Sequence, residues 1–140
     1  MLKYGRIDLQ HTNYSLYSNA SLILNPDKKQ LRNIYAQYCK YKKFKSVESL
    51  FDFDIDYSDT IGYYDNSALV AFTLVQRLDI ESIRGIQFAW DYANPKLRLG
   101  WLANYHECAF YKSLGYRYYY LGQHDSYKSK IDGYEILGVL

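Results

Sequence analysis

The sequence predicts a mixed α/β fold, a mainly antiparallel sheet flanked by helices. Three observations predict it. Residues 61–64, 68–77 and 83–90 are apolar runs rich in β-branched and aromatic side chains, and short polar turns separate them, the pattern of an antiparallel meander. Two other stretches carry apolar residues at helical spacing. The second of these lies between the meander and a dense aromatic run at residues 116–121, so a helical crossover brings that last strand parallel to the last meander strand.

The elements follow in order. Asn25-Pro26-Asp27 opens a helix: Asn25 caps exposed amides, Pro26 suits the first helical position and Asp27 complements the dipole. Leu31, Ile34, Tyr35, Tyr38 and Tyr41 then recur on one face, with Lys28, Lys29, Arg32 and Lys40 mostly elsewhere. Residues 51–57 alternate strictly, with Phe51, Phe53, Ile55 and Tyr57 on one strand face and Asp52, Asp54 and Asp56 on the other. Asp65-Asn66-Ser67 and residues 79–82 turn the chain within the meander. Leu102, Tyr105, His106, Ala109 and Phe110 mark the second helix, which Gly115 stops. The tail after residue 121 has room for one more strand.

At 140 residues, with 49% hydrophobic and 23% charged, the chain can bury a core without disulfides or metal, which predicts one domain over residues 1–140. Seventeen Lys and Arg against 15 Asp and Glu leave a net charge of +2, so any affinity for nucleic acid must come from local patches. Cys39 and Cys108 form no metal-ligand spacing, the N-terminus has no apolar leader, and no apolar run is long enough to span a bilayer. A reduced, cytoplasmic protein without a membrane partner is expected. The 18 tyrosines offer rings that stack and hydroxyls that donate, so they suit a groove as well as a core. The stretch from Lys40 to Lys45 mixes cations with rings, as a binder of a tRNA end does, and equally fits an ordinary helix C-terminus. Asp52, Asp54 and Asp56 lack the loop pattern for calcium, because Tyr57 stands where glycine is required.

A meander followed by turn, helix and strand is the arrangement of the GNAT acyltransferase fold, in which the last two strands splay apart. The segment from Phe88 through Asp91, Leu97, Leu99 and Gly100 to Glu107, with the Tyr118-Tyr119-Tyr120-Leu121-Gly122 run after it, resembles the C-terminal domain of the arginyl-tRNA–protein transferases. Lys128, Lys130 and Gly133 are similar to that family's Lys-rich close, whereas its Asp-Pro pair is Asp91-Tyr92 here and its cysteine-rich N-terminal region has no counterpart. The resemblance covers about the second half of the chain. It implies a GNAT-like domain that takes an aminoacyl-tRNA as acyl donor and an amine, on a protein or small molecule, as acceptor, with no tightly bound cofactor and no metal. It also makes Glu107 a candidate catalytic residue.

Such a reaction needs a positioned amine, a donor for the oxyanion and a proton acceptor. The amides opening the second helix at Leu99, Gly100 and Trp101, with Lys96 and Arg98 adding charge, form the candidate donor-binding loop. Trp90, Tyr92 and Tyr120 are the expected cleft residues. Asp91 and His124, each at a strand end, are the candidates for handling the acceptor proton, and Asp91 fits a turn cap equally well. Two alternatives stand beside this reading. One is an acyl-CoA N-acetyltransferase on the same fold, although a single glycine followed by Trp101 is a poor pyrophosphate loop. The other is a non-catalytic GNAT-like module that binds RNA or protein through a tyrosine-rich face.

Overall fold

The computed structural model describes residues 3–43 and 57–139. Among the described residues, seven strands form one sheet: β1 (Lys3–Asp8), β2 (Ala20–Ile23), β3 (Asp59–Asp65), β4 (Ala68–Arg77), β5 (Ser82–Trp90), β6 (Tyr118–Gln123) and β7 (Tyr134–Val139). Two helices accompany them, α1 (Lys28–Lys42) and α2 (Leu99–Ser113). The sheet order is β2-β3-β4-β5-β6-β1-β7. Every pairing is antiparallel except β5 with β6. The expected mixed sheet, meander and parallel final strand are therefore present, and the tail supplies β7.

Side-chain alternation on β4 assigns the two helices to opposite faces. Phe72 and Leu74 pack with Leu31 and Ile34 of α1, whereas Ala71 and Val75 share a core with Leu99, Ala103, Cys108 and Tyr111 of α2. Burying both faces explains why β4 reads as a nearly continuous apolar run.

Local chemistry sets the boundaries. α1 is capped by Asp27, whose carboxylate accepts from the amides of Lys29 and Gln30 at 3.0 and 3.4 Å. That corrects the expectation of Asn25 as cap and Pro26 as first helical residue: the helix starts at Lys28, and the acid next to the exposed amides takes both bonds. Asn66 and Ser67 both have positive φ, 49° and 73°, which gives the β3–β4 hairpin a turn with the handedness its strands need. Gly115 ends α2 with φ +95°; its amide and that of Tyr116 return to the carbonyls of Lys112 and Tyr111, a Schellman close. Tyr116 and Arg117 lie in the link before β6 rather than in the strand. The alternating run at residues 51–56 lies outside the described residues.

Candidate active site

The parallel pairing of β5 with β6 is short. Only Ser82–Tyr118, Ile83–Tyr119 and Arg84–Tyr120 are in register. Beyond them β5 carries an extra residue, since Leu74 and Val75 of β4 face Gln87 and Gly85 with Ile86 between. A bulge of this kind bends its strand, and here the bulged residues turn toward the gap that opens between β5 and β6.

A cavity of about 480 Å³ occupies that gap. The bulge (Gly85, Ile86, Gln87, Phe88) forms one wall and α2 (Gly100, Trp101, Ala103, Asn104, Glu107) another. Tyr38 and Lys42 at the end of α1, with Tyr92 from the loop after β5, reach it from the sheet's other face. Tyr119, Leu121, Tyr127 and Lys128 complete the β6 side.

Glu107 is 3% exposed. Its Oε2 accepts from the hydroxyls of Tyr63 (2.5 Å) and Thr73 (2.7 Å), and its Oε1 accepts a short bond from the Tyr119 hydroxyl. These donors stand on β3, β4 and β6, so one carboxylate ties α2 to three strands. Burial pushes its pKa above the ordinary Glu value while the three hydroxyls oppose that shift. Tyr63 and Tyr119 are held well above the usual tyrosine value by burial and by the adjacent carboxylate. Gly85 makes room for this arrangement, because a Cβ there would meet the Tyr119 ring at 3.1 Å.

α2 begins in this cavity without a side-chain cap. Arg98 occupies the cap position with φ 52°, and among the described residues no side chain bonds the first amides. The amides of Trp101 and Leu102 turn back to the Arg98 carbonyl; those of Leu99 and Gly100 precede the helix's own bonds, leaving the positive end of the dipole available to an anion. The Lys128 ammonium donates to the carbonyls of Leu121 (3.2 Å) and Gln123 (2.5 Å), just where β6 leaves β5.

Aromatic stacking shapes the α1 side. Tyr92, with the left-handed φ of 57°, lies between Tyr41 (3.7 Å between ring centroids) and Trp90 (4.1 Å). Burial pushes the Tyr38 hydroxyl up to about 12.

The structure brings Glu107, Gly100, Trp101 and Tyr92 together on the cavity wall. Other sequence candidates stand elsewhere. Tyr120 faces the opposite side of the sheet from Tyr119, where it accepts from Arg6 at 3.0 Å, which corrects its placement in the cleft. Trp90 is buried behind Tyr92 rather than on the wall, and its indole nitrogen has no partner among the described residues. Asp91 accepts from the amide of Ala93 at 2.9 Å, the turn cap that was its other reading. His124 bonds the Tyr134 hydroxyl at 2.8 Å, toward β7. Lys96 and Arg98 are exposed and off the wall because Arg98 is spent on the left-handed cap, and Leu99 is fully buried in the core. The cavity cations are instead Lys42 and Lys128. Within the stretch from Lys40 to Lys45, Phe44 and Lys45 lie outside the described residues.

Comparison with known proteins bears on the fold. No family model and no curated protein matches this sequence. Among solved structures, it is similar to L-PGS from Bacillus licheniformis, with a TM-score of 0.65 and 11% identity over 87% of this chain and 46% of that one. It is also similar to the C-terminal domain (DUF2156) of a putative lysylphosphatidylglycerol synthetase from Agrobacterium fabrum, with a TM-score of 0.61 and 10% identity over 87% and 46%. A third is a GCN5-related N-acetyltransferase from Kribbella flavida, with a TM-score of 0.58 and 11% identity over 97% and 55%. The fold is GNAT-like. This chain spans about half the length of each of those structures. The GNAT-like expectation is met, whereas the closer resemblance to arginyl-tRNA–protein transferases finds no support in these three. Among the described residues, no helix of this GNAT-like fold is long and apolar enough to cross a membrane.

Proposed function

We propose that this chain is an acyltransferase domain that moves an aminoacyl group from an aminoacyl-tRNA to an amine acceptor. The observation that carries the reading is the cavity between the splayed β5 and β6, into which α2 opens with uncapped amides. An aminoacyl ester is already activated, so catalysis reduces to placing a neutral amine against the carbonyl and stabilising the oxyanion. The new C–N bond forms as the ester C–O bond breaks, and the tRNA 3′ hydroxyl keeps the proton the amine gives up. The first-turn amides of α2 suit an oxyanion or phosphate, Lys42 and Lys128 suit the nucleic-acid backbone, and Trp101 and Tyr127 suit a stacked terminal base. Two of the similar structures are named for lysylphosphatidylglycerol synthesis or as L-PGS; lysylphosphatidylglycerol is itself an aminoacyl conjugate, and this favours an aminoacyl donor.

A second reading, an acyl-CoA donor, is favoured by the likeness to the N-acetyltransferase and places the CoA pyrophosphate on the same amides. The experiment supplies the purified protein with either tRNA charged with labelled amino acids or labelled acetyl-CoA, together with an amine-bearing peptide. Label on the peptide from the charged tRNA alone is the expected result. Label from acetyl-CoA alone transfers the assignment to the second reading, and label from neither overturns both.

A further inference from the structure

A second cavity, of about 340 Å³, lies beside α2. The helix presents Ala103 and Glu107 to the cavity between β5 and β6, and His106 and Phe110 to this one. Leu16, Tyr17, Leu22 of the edge strand β2 and Ile61 of β3 form the rest of its apolar wall, and Ser18 and Ser21 stand at an exposed rim. Its volume falls in the range of small-molecule sites.

His106 gives this wall its chemistry. The residue is 6% exposed, with its ring stacked on Phe110 and perpendicular to Tyr63. Its Nδ1 accepts from the Tyr17 amide at 3.0 Å. A backbone amide only donates, so Nδ1 carries no proton, and in the neutral ring the proton sits on Nε2. Burial favours that neutral ring by lowering its pKa. Among the described residues nothing accepts from Nε2–H. The nitrogen is not sealed in the core either, since the wholly enclosed side-chain atoms without a partner, among the described residues, are Trp90 Nε1 and Arg117 Nε. An accessible N–H on a buried residue that lines the cavity opens onto that cavity.

The character of the wall decides which acceptor fits. No Lys, Arg, Asp or Glu among the described residues lines it, so an ionised carboxylate would lose its hydration with no cation to replace it. A hydrocarbon matches the apolar surface and leaves the Nε2 donor unmet. An uncharged carbonyl compound satisfies both.

We infer that this cavity binds an uncharged apolar molecule bearing a carbonyl oxygen, an ester or a ketone, with His106 Nε2–H donating to that oxygen and Leu16, Leu22, Ile61 and Phe110 enclosing the remainder. The site is separate from the cavity of the proposed function, and neither reading depends on the other.

The test titrates the isotope-labelled protein at neutral pH with three probes and follows it by NMR. Acetophenone carries the carbonyl, ethylbenzene has nearly the same shape and no acceptor, and benzoate carries a charged acceptor. The amide signals of Tyr17 and Leu22 report the site, and the His106 Nε2 signal reports the bond. Acetophenone is expected to move all three signals and to bind about three- to tenfold tighter than ethylbenzene, with benzoate weaker than acetophenone. A folded His106→Phe variant should bind acetophenone and ethylbenzene alike. Equal affinity for those two probes in the unaltered protein overturns the inference, as does tighter binding of benzoate, an unmoved His106 Nε2 signal, or a preference for acetophenone that survives in His106→Phe. Shifts confined to Gly85 and Gly100 place acetophenone in the other cavity and overturn it too. Should His106→Phe fail to fold, the ranking of the three probes and the Nε2 signal of the unaltered protein decide alone.

Discussion

Tyr119 and Tyr120 are neighbours with identical chemistry and different work. The Tyr119 hydroxyl serves the buried Glu107, whereas Tyr120 lies on the other face beside the Arg6 guanidinium. Tyr119→Phe leaves one Oε1 position of a buried acid without its donor and is expected to cost about 1–3 kcal/mol in urea unfolding. Tyr120→Phe, half-buried at the surface, should cost about 0–1 kcal/mol. A reversal of that order would show that Glu107 does not depend on Tyr119. His106 provides a pH handle of definite sign. Its Nδ1 accepts from the Tyr17 amide at 3.0 Å, and burial lowers its pKa below the ordinary His value. The neutral ring is therefore the stable native form. The stability it contributes is present above the ordinary His value and is lost as pH falls through the lower native value. Unfolding midpoints for the native protein should decline over that acid window, and His106→Gln should flatten the decline. The sequence did expose Glu107 and Gly100, but not the split between the two tyrosines. Strand faces are read from alternation, and Tyr118-Tyr119-Tyr120 repeats one residue, so the period-two signal is absent where it was needed. Thr73 and Tyr63 escaped for a different reason: they meet Glu107 only through pairings remote in sequence.

At the scale of elements, α1 and the hairpins were legible because caps and turns are local. Asp27, Asn66-Ser67 and Gly115 act within a few residues of themselves. Even the displacement of the α1 cap from Asn25 to Asp27 is a choice between two adjacent cap formers. Asp27→Ala should accordingly lower stability by about 0.5–2 kcal/mol, with circular dichroism of the melt as the readout. β1 and β2 are short, and β2 is an edge with little apolar patterning, so neither announces itself. The site was less legible than the elements. Lys96 and Arg98 precede a helix, as anion-binding cations often do, yet the left-handed turn at Arg98 directs the backbone to the cavity and leaves those side chains outside. Gly133 is a stronger constraint on an element. It has φ +75°, and a Cβ there would lie 2.5 Å from the Asp8 carbonyl oxygen, where the Asp8 amide also donates to the Gly133 carbonyl at 2.8 Å. Gly133→Ala is expected to cost about 1–3 kcal/mol, measured by chemical denaturation, because both the turn into β7 and the end of β1 must shift.

For the whole molecule, the sheet is joined through its first strand. β1 lies between β6 and β7 and pairs antiparallel with both. Deleting the residues of β1 should detach β7 from the sheet and expose the core around Ile7 and Leu9, both fully buried, and dye binding to exposed apolar surface should rise together with loss of a cooperative melt. The same interposed strand governs timing as well as stability. Arg6 bonds Tyr120 and Glu135, partners 114 and 129 positions along the chain. A strand made before its partners therefore waits for the intervening 114 to 129 residues to leave the ribosome before its ladder can close. The meander of β3 to β5 needs only neighbours and can assemble early, so slow refolding is expected to track substitutions in β1 and β6 rather than those in the hairpins. In the cell, that interval leaves an unpaired strand open to chaperones and to aggregation.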